Sequence, residues 1–214
     1  MKNFAFISDF DGTLTKKDFY KVLADTYFKE ELKPIYNSWI NGEITDIDYV
    51  SYVFNNVHRN ETELYDDILN IDFDHSAIAF IEQIKEAGGD FIVLSAGSTY
   101  YIDKFFEANH IEGIDVYSNK CIFKNNGLYF DLDKHDEFYS NKCGIDKLIV
   151  VEKLKSNYKK IFYAGDNVPD LKPALICDVV FAKGELIKLL RKNKKEFIEF
   201  ETFSEIWDKL KIYL

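Results

Sequence analysis

The chain opens on an apolar run, Phe4-Ala5-Phe6-Ile7-Ser8, that stops abruptly at Asp9-Phe10-Asp11-Gly12-Thr13. A run of that length and composition reads as a buried strand, and the glycine lets the backbone turn sharply off its end. Such a strand places two carboxylates, two residues apart, at the carboxyl edge of a sheet. Open α/β sheets bind their ligands at that edge. Strand-like runs recur at residues 91–94, 161–164 and 179–181, with helical patterns between them. The alternation predicts an α/β fold, a doubly wound and mostly parallel sheet with helices on both faces.

Between Thr15 and Leu69 this pattern lapses. No strand reads there, and helices follow one another at roughly 18–29, 31–40, 46–56 and 61–69. Residues 1–15 and 70–214 are therefore expected to form the α/β core, with 16–69 a small helical insertion after the first strand. Its many aromatics, Tyr27, Phe28, Tyr36, Trp39, Tyr49, Tyr52 and Phe54 among them, are expected to pack mostly against one another, with two or three facing the strand ends. Thr45 with Asp48, and Asn60 before Glu61, are expected helix caps. Residues 115–131 read as a hairpin turning at Asn126-Gly127, and 131–142 as a surface connection. Ser98 or Thr99 should open a helix to about Asn109, and Ser204 should cap the last one.

With 27 Lys and Arg against 37 Asp and Glu, the net charge is −10. Only Arg59 and Arg191 are arginines. Nucleic acid is excluded as a partner on these grounds, because phosphate backbones call for clustered cations. Cys121, Cys143 and Cys177 are odd in number and lack Cys-x-x-Cys spacing, so they read as reduced thiols of a cytoplasmic protein. The first apolar run is too short for a signal peptide, and no segment approaches the ~20 apolar residues of a membrane span. No membrane association is expected. The four histidines are scattered and receive no role.

Three further stretches complete a pattern with the first. Phe91-Ile92-Val93-Leu94-Ser95-Ala96-Gly97 is a strand ending in serine. Lys147, in Cys143-Gly144-Ile145-Asp146-Lys147, stands near a helix start. Ile161-Phe162-Tyr163-Ala164 runs into Gly165-Asp166, with Asp170 four residues later. Together these resemble the four motifs of the haloacid dehalogenase superfamily, in its aspartate-nucleophile phosphatase branch. The resemblance covers essentially the whole chain and implies a mobile cap at 16–69.

The chemistry it implies is hydrolysis of a phosphate monoester through an aspartyl-phosphate. Asp9 would be the nucleophile and Asp11 the general acid and base. A carboxylate attacking a phosphate dianion needs a cation, and Mg²⁺ suits oxygen ligands. By resemblance its ligands are the Asp9 carboxylate, the Asp11 carbonyl and the Asp166 carboxylate, with Asp170 at the metal site orienting a bound water or Asp166. Lys147 would pair with Asp9 and the phosphoryl oxygens. The Ser95 and Thr13 hydroxyls and the Gly12, Ala96 and Gly97 N–H groups would cradle the phosphate.

Within the superfamily the early insertion resembles the phosphoserine-phosphatase group. That group uses an acidic residue nine positions after the nucleophile, here Asp18, and a cap arginine for the substrate carboxylate. Arg59 is the insertion's only arginine and lies at a helix boundary. The closer resemblance is to the methionine-salvage branch, through Asp18, the Cys143-Gly144-x-x-Lys147 lead and Phe200-Glu201-Thr202-Phe203. It implies a small phosphorylated metabolite as substrate, such as 2-hydroxy-3-keto-5-methylthiopentenyl 1-phosphate. Phosphoserine hydrolysis, and phosphotransfer by the same site, are the alternatives.

Overall fold

The computed structural model describes residues 2–28 and 30–214. A six-stranded sheet carries β1 (Lys2–Ser8), β2 (Asp90–Ser98) and β3 (Asp115–Asn119), with three later strands, β8 (Tyr158–Gly165), β9 (Val179–Ala182) and β10 (Ile198–Glu199). Between them lie two small antiparallel pairs, β4 (Cys121–Lys124) with β5 (Gly127–Phe130), and β6 (Tyr139–Ser140) with β7 (Gly144–Ile145). The large sheet is ordered β10-β9-β8-β1-β2-β3, and every neighbouring pair in it is parallel. This is the expected doubly wound α/β architecture, with β1 at its centre.

The strand sequences set the two faces. Side chains alternate along a strand, so β1 sends Phe4 and Phe6 to one side and Ala5 and Ile7 to the other. Phe162 and Phe181 join the first face and Ile161, Tyr163 and Val180 the second. The aromatic face is covered by α5 (Ser76–Glu86) and α10 (Phe203–Leu210), where Phe6 meets the rings of Phe80, Phe91, Phe162, Phe181 and Phe203 at 4.7–6.5 Å between centroids. The aliphatic face packs against α7 (Lys147–Lys155), α8 (Leu171–Ile176) and α9 (Gly184–Lys192) through Val150, Val151, Ala174, Leu186 and Leu190.

Residues 16–69 hold four helices, α1 (Phe19–Tyr27), α2 (Lys33–Ile40), α3 (Asp46–Asn55) and α4 (Glu61–Leu69). Thr45 and Asn60 close reciprocal capping boxes with Asp48 and Glu63, as their spacing predicts. The apolar interior of these helices is continuous with the aromatic face of the sheet, through Phe10, Leu14, Phe19, Val53 and Phe54. The remaining helix, α6 (Thr99–Ala108), follows β2 directly, with the Ser98 hydroxyl accepting from the Tyr100 N–H.

Three expectations need correction. The hairpin does not begin at 115: residues 115–119 form β3, a parallel edge strand of the main sheet, and the hairpin is confined to 121–130. Its turn residues are Asn125 and Asn126, both at positive φ, as a two-residue type I′ turn requires. Gly127 lies in β5, where a side chain would collide with the Phe54 and Asn55 carbonyls of α3. The cap of α10 is Thr202, whose hydroxyl accepts from the Glu205 N–H, and Ser204 lies inside the helix. The three cysteines are unbridged, and among the described residues no helix is long and apolar enough to cross a membrane.

The aromatic face is the part of this packing most sensitive to truncation. Phe6→Ala should lower unfolding free energy by about 3–5 kcal/mol. Ile122→Ala, at an exposed hairpin position, should change it by less than about 0.5 kcal/mol. Urea denaturation of the two variants checks both.

Candidate active site

All four sequence motifs meet at the carboxyl ends of β1, β2 and β8. Asp9 follows β1, and its N–H donates to the Ala164 carbonyl (2.9 Å), so it continues the sheet ladder by one step. The Phe10 carbonyl then accepts from the N–H groups of Thr13, Leu14 and Thr15, closing a tight turn. Gly12 takes φ +77° in that turn, and a Cβ there would stand 2.6 Å from Asp166 Oδ2. The glycine is required on both counts.

Lys147, the first residue of α7, is the hub. Its ammonium lies 2.8 Å from Asp9 Oδ1 and 2.7 Å from Asp170 Oδ1, with all three side chains buried. Asp170 is fully engaged. Its Oδ1 accepts from Lys147 and from the Tyr163 hydroxyl (2.7 Å), and its Oδ2 accepts from the N–H groups of Asp166 (3.0 Å) and Asn167 (3.1 Å). Four donors saturate a carboxylate, so Asp170 anchors the β8 turn and leaves no lone pair for a further ligand. It makes no side-chain cap to α8.

Burial, then the neighbouring Asp170 carboxylate, hold Asp9 well above the usual carboxylate range. Burial followed by Asp170 also raises Asp166, to about 6. Burial opposes the charge on Lys147, but Asp170 and Asp9 outweigh it and keep the ammonium protonated.

Asp9, Asp166 and Asp170 bring carboxylate oxygens within 4.8 Å of one another, a hard-oxygen cluster of the kind that gathers around a divalent cation, with Asp170, its acceptors already filled, as the orienting member. Among the described residues, Asp9 Oδ2, Asp166 Oδ2 and the Asp11 carbonyl accept no hydrogen bond. Unpartnered acceptors on the three expected ligands are what a cation site requires, so the residues present fit the metal.

Asp11 turns away from this cluster. Its Oδ1 accepts from the Phe19 N–H at the start of α1 (2.9 Å), and its Oδ2 accepts from the Ser95 hydroxyl (3.2 Å) and the Tyr101 hydroxyl. Burial, then the Asp18 charge, raise Asp11 to about 6.

A cavity of about 400 Å³ opens over these groups. Its floor carries Asp9, Asp11, Ser95, Ala96, Gly97, Lys147 and Asp166, as expected, with Asp18 on the wall. Gly12 and Thr13 do not line it. The Gly12 N–H donates to Thr15 Oγ1 (3.2 Å), and the buried Thr13 hydroxyl donates to Asp166 Oδ1 (3.1 Å). Gly12 thus shapes the turn, and Thr13 orients Asp166. The Gly97 N–H donates to Ser95 Oγ (2.9 Å). The roof comes from the helical segment, through Tyr20, Trp39, Ile47, Val50 and Phe54. Of the aromatics named from the sequence, Trp39 and Phe54 face the site.

Three residues here carry no motif signal. Tyr163 binds Asp170, Tyr101 binds Asp11, and the Lys183 ammonium donates to the Thr13 carbonyl (2.8 Å). Tyr163 alone had a local clue, since its strand ends two residues later in the fourth motif.

Comparison with known proteins decides the family. The profile described as Putative Phosphatase matches residues 4–208. The chain belongs to that phosphatase family. It is a phosphatase, a phosphoric monoester hydrolase. It is 27% identical over 212 residues, 96% of this chain and 95% of the other, to a 2-hydroxy-3-keto-5-methylthiopentenyl-1-phosphate phosphatase of Bacillus cereus (strain B4264). The Bacillus thuringiensis (strain Al Hakam) protein of the same name is 26% identical, with 95% of this chain and 94% of that one covered. Among solved structures, a phosphoserine phosphatase bearing a phospho-aspartyl intermediate analogue superposes with a TM-score of 0.70 at 18% identity, covering 98% of this chain and 99% of that one. The phosphoserine phosphatase of T. onnurineus gives 0.66 at 19%, covering 99% and 95%. These structural likenesses establish the fold.

Removing the buried ammonium would leave Asp9 and Asp170 facing each other without compensation. In EDTA, Lys147→Met should cost about 3–5 kcal/mol of stability, the scale for breaking a buried ion pair by deleting one partner. Chemical denaturation of this variant against the parent chain measures it.

Proposed function

We propose that this phosphatase hydrolyses a small, uncharged-tailed phosphate monoester in two steps through an aspartyl-phosphate on Asp9, with Mg²⁺ as its cation. The observation that carries the reading is the placement of Asp9 on the cavity floor, tied to the sheet ladder behind and to Lys147 beside it. A nucleophile so fixed needs little reorganisation to reach phosphorus.

In the first step Asp9 attacks the phosphorus, and Asp11 gives its proton to the leaving oxygen as the ester bond breaks. In the second, Asp11 takes a proton from water attacking the acyl phosphate, which frees Asp9 and inorganic phosphate. Ser95 and Lys147 hold the phosphoryl oxygens, helped by the backbone N–H of Ala96, while the Gly97 N–H orients the Ser95 hydroxyl. Asp9, Asp166 and the Asp11 carbonyl would hold Mg²⁺, with Asp170 and Thr13 fixing the Asp166 turn. When bound, the ion supplies charge neutralisation for the attack of an anion on a dianion. The helices of 16–69 act as the cap, excluding water over the roof.

The cap's electrostatics support the choice of substrate. Arg59 does not line the cavity; it is paired with Asp67 (3.1 Å) and Glu63 (3.5 Å) and lies over the Tyr27 ring. The cavity lysines are also matched, Lys21 by Asp18 and Lys142 by Asp46 at 3.8 Å. No described arginine is left on the wall to clamp a substrate carboxylate bidentately. Trp39, Ile47, Val50 and Phe54 offer apolar surface instead. This favours a substrate like the one named for the Bacillus relatives, with its keto, hydroxyl and thioether groups, over phosphoserine. Asp18 would accept a hydrogen bond from a substrate hydroxyl.

The test is phosphate release over a metabolite panel with Mg²⁺ present. The 2-hydroxy-3-keto-5-methylthiopentenyl ester should exceed phosphoserine in kcat/KM by at least about tenfold, a 1.4 kcal/mol difference in transition-state binding. The reverse order would overturn the substrate reading. Exhaustive chelation should abolish turnover. Thr13→Val should raise the Mg²⁺ concentration for half-maximal rate by about 10–100-fold, the usual effect of removing a partner that orients a metal carboxylate.

A further inference from the structure

Tyr101 stands in the first turn of α6, 90 residues from the carboxylate it touches. Its ring is buried where the core meets the helical segment, with the rings of Phe10, Phe19 and Phe54 at 5.8, 4.7 and 6.2 Å. Tyr101 also lines the cavity, and its hydroxyl donates to Asp11 Oδ2. Gly97 keeps that contact open: a Cβ there would fall 1.7 Å from the Tyr101 oxygen and 2.5 Å from Asp11 Oδ2.

Asp11 is otherwise held by the Phe19 N–H on Oδ1 and by Ser95 on Oδ2. Ser95 also faces the position assigned above to the phosphoryl group, so substrate competes for its hydroxyl. Tyr101 has no such competing duty. We propose that Tyr101 is a positioning residue for the proton transfer, its hydroxyl fixing the Asp11 carboxyl plane against the leaving oxygen. As the P–O ester bond breaks, its electron pair stays on the leaving oxygen and takes the Asp11 proton. The carboxylate so formed keeps the Tyr101 and Phe19 donors. Tyr101 thereby ties the proton carrier to the seam between core and cap.

The inference rests on Asp11 as the acid, and the experiment separates the two. With Mg²⁺ present, kcat/KM is measured for an alkyl phosphate and for p-nitrophenyl phosphate in the parent chain, Tyr101→Phe, Asp11→Asn and the double variant. An aryl leaving group needs little protonation. Tyr101→Phe should therefore cost about 10–100-fold on the alkyl ester, the scale of a small misplacement of a reacting group, and less than about threefold on the aryl ester. In the Asp11→Asn background the same change should add nothing on either substrate. Equal losses on both esters, which general damage to packing would also give, overturn the inference, as does an undiminished effect in the Asp11→Asn background. A leaving-group split in Asp11→Asn that is absent from Tyr101→Phe overturns it alone. Equal losses in Asp11→Asn overturn the role of Asp11 and this inference with it.

Discussion

One ammonium in a nest of carboxylates governs this molecule. Lys147 bridges Asp9 and Asp170 at 2.8 and 2.7 Å, and Asp166 lies within the same 4.8 Å cluster. With all three carboxylates ionised, one ammonium leaves an excess of two negative charges in a buried space. Such an excess is costly unless it is paired or neutralised. A divalent cation offsets it, and so does partial protonation, which is the direction in which Asp9 and Asp166 are both displaced. Under the proposed mechanism, this charge imbalance is the physical reason that nucleophile, cation and phosphate depend on one another.

The fold exists to place that cluster. Its members come from just past the ends of β1 and β8, adjacent and parallel with β1 at the sheet's centre, from the first residue of α7 and, for Asp170, from the residue just before α8. The two faces beneath are chemically distinct. Stacked phenylalanines under α5 and α10 give one side a large, specific packing surface, while the aliphatic side lets α7, α8 and α9 sit close. Over the strand ends, the helical segment brings apolar side chains whose neighbouring charges are already paired, which under the proposed function leaves selectivity to shape and hydrogen bonding.

Much of this is legible in the sequence because it is local. An apolar run ending in Asp-x-Asp-Gly-Thr dictates both a strand and the position of its carboxylates, and the capping boxes at Thr45 and Asn60 are complete within four residues. What escaped depends on distant contacts. Residues 115–119 look like half of a hairpin. Asn119, though polar, is buried and donates to the carbonyls of Ala96 and Cys143, which fastens the segment to the sheet edge. The motif places Gly12 and Thr13 beside Asp9, where they read as phosphate donors. Their hydrogen bonds instead turn inward, to Thr15 and to Asp166 153 residues away. Tyr101 and Lys183 act on groups 90 and 170 residues distant, and no spacing rule reaches that far.

The central claim is that Asp9 carries the phosphoryl group. Quenching the enzyme with Mg²⁺ and a phosphate monoester during turnover, then reducing with borohydride, converts an aspartyl-phosphate to homoserine. Peptide mass spectrometry should place homoserine at position 9, dependent on substrate and absent after chelation. Homoserine at another aspartate, or turnover with position 9 unchanged after borohydride, would contradict the account.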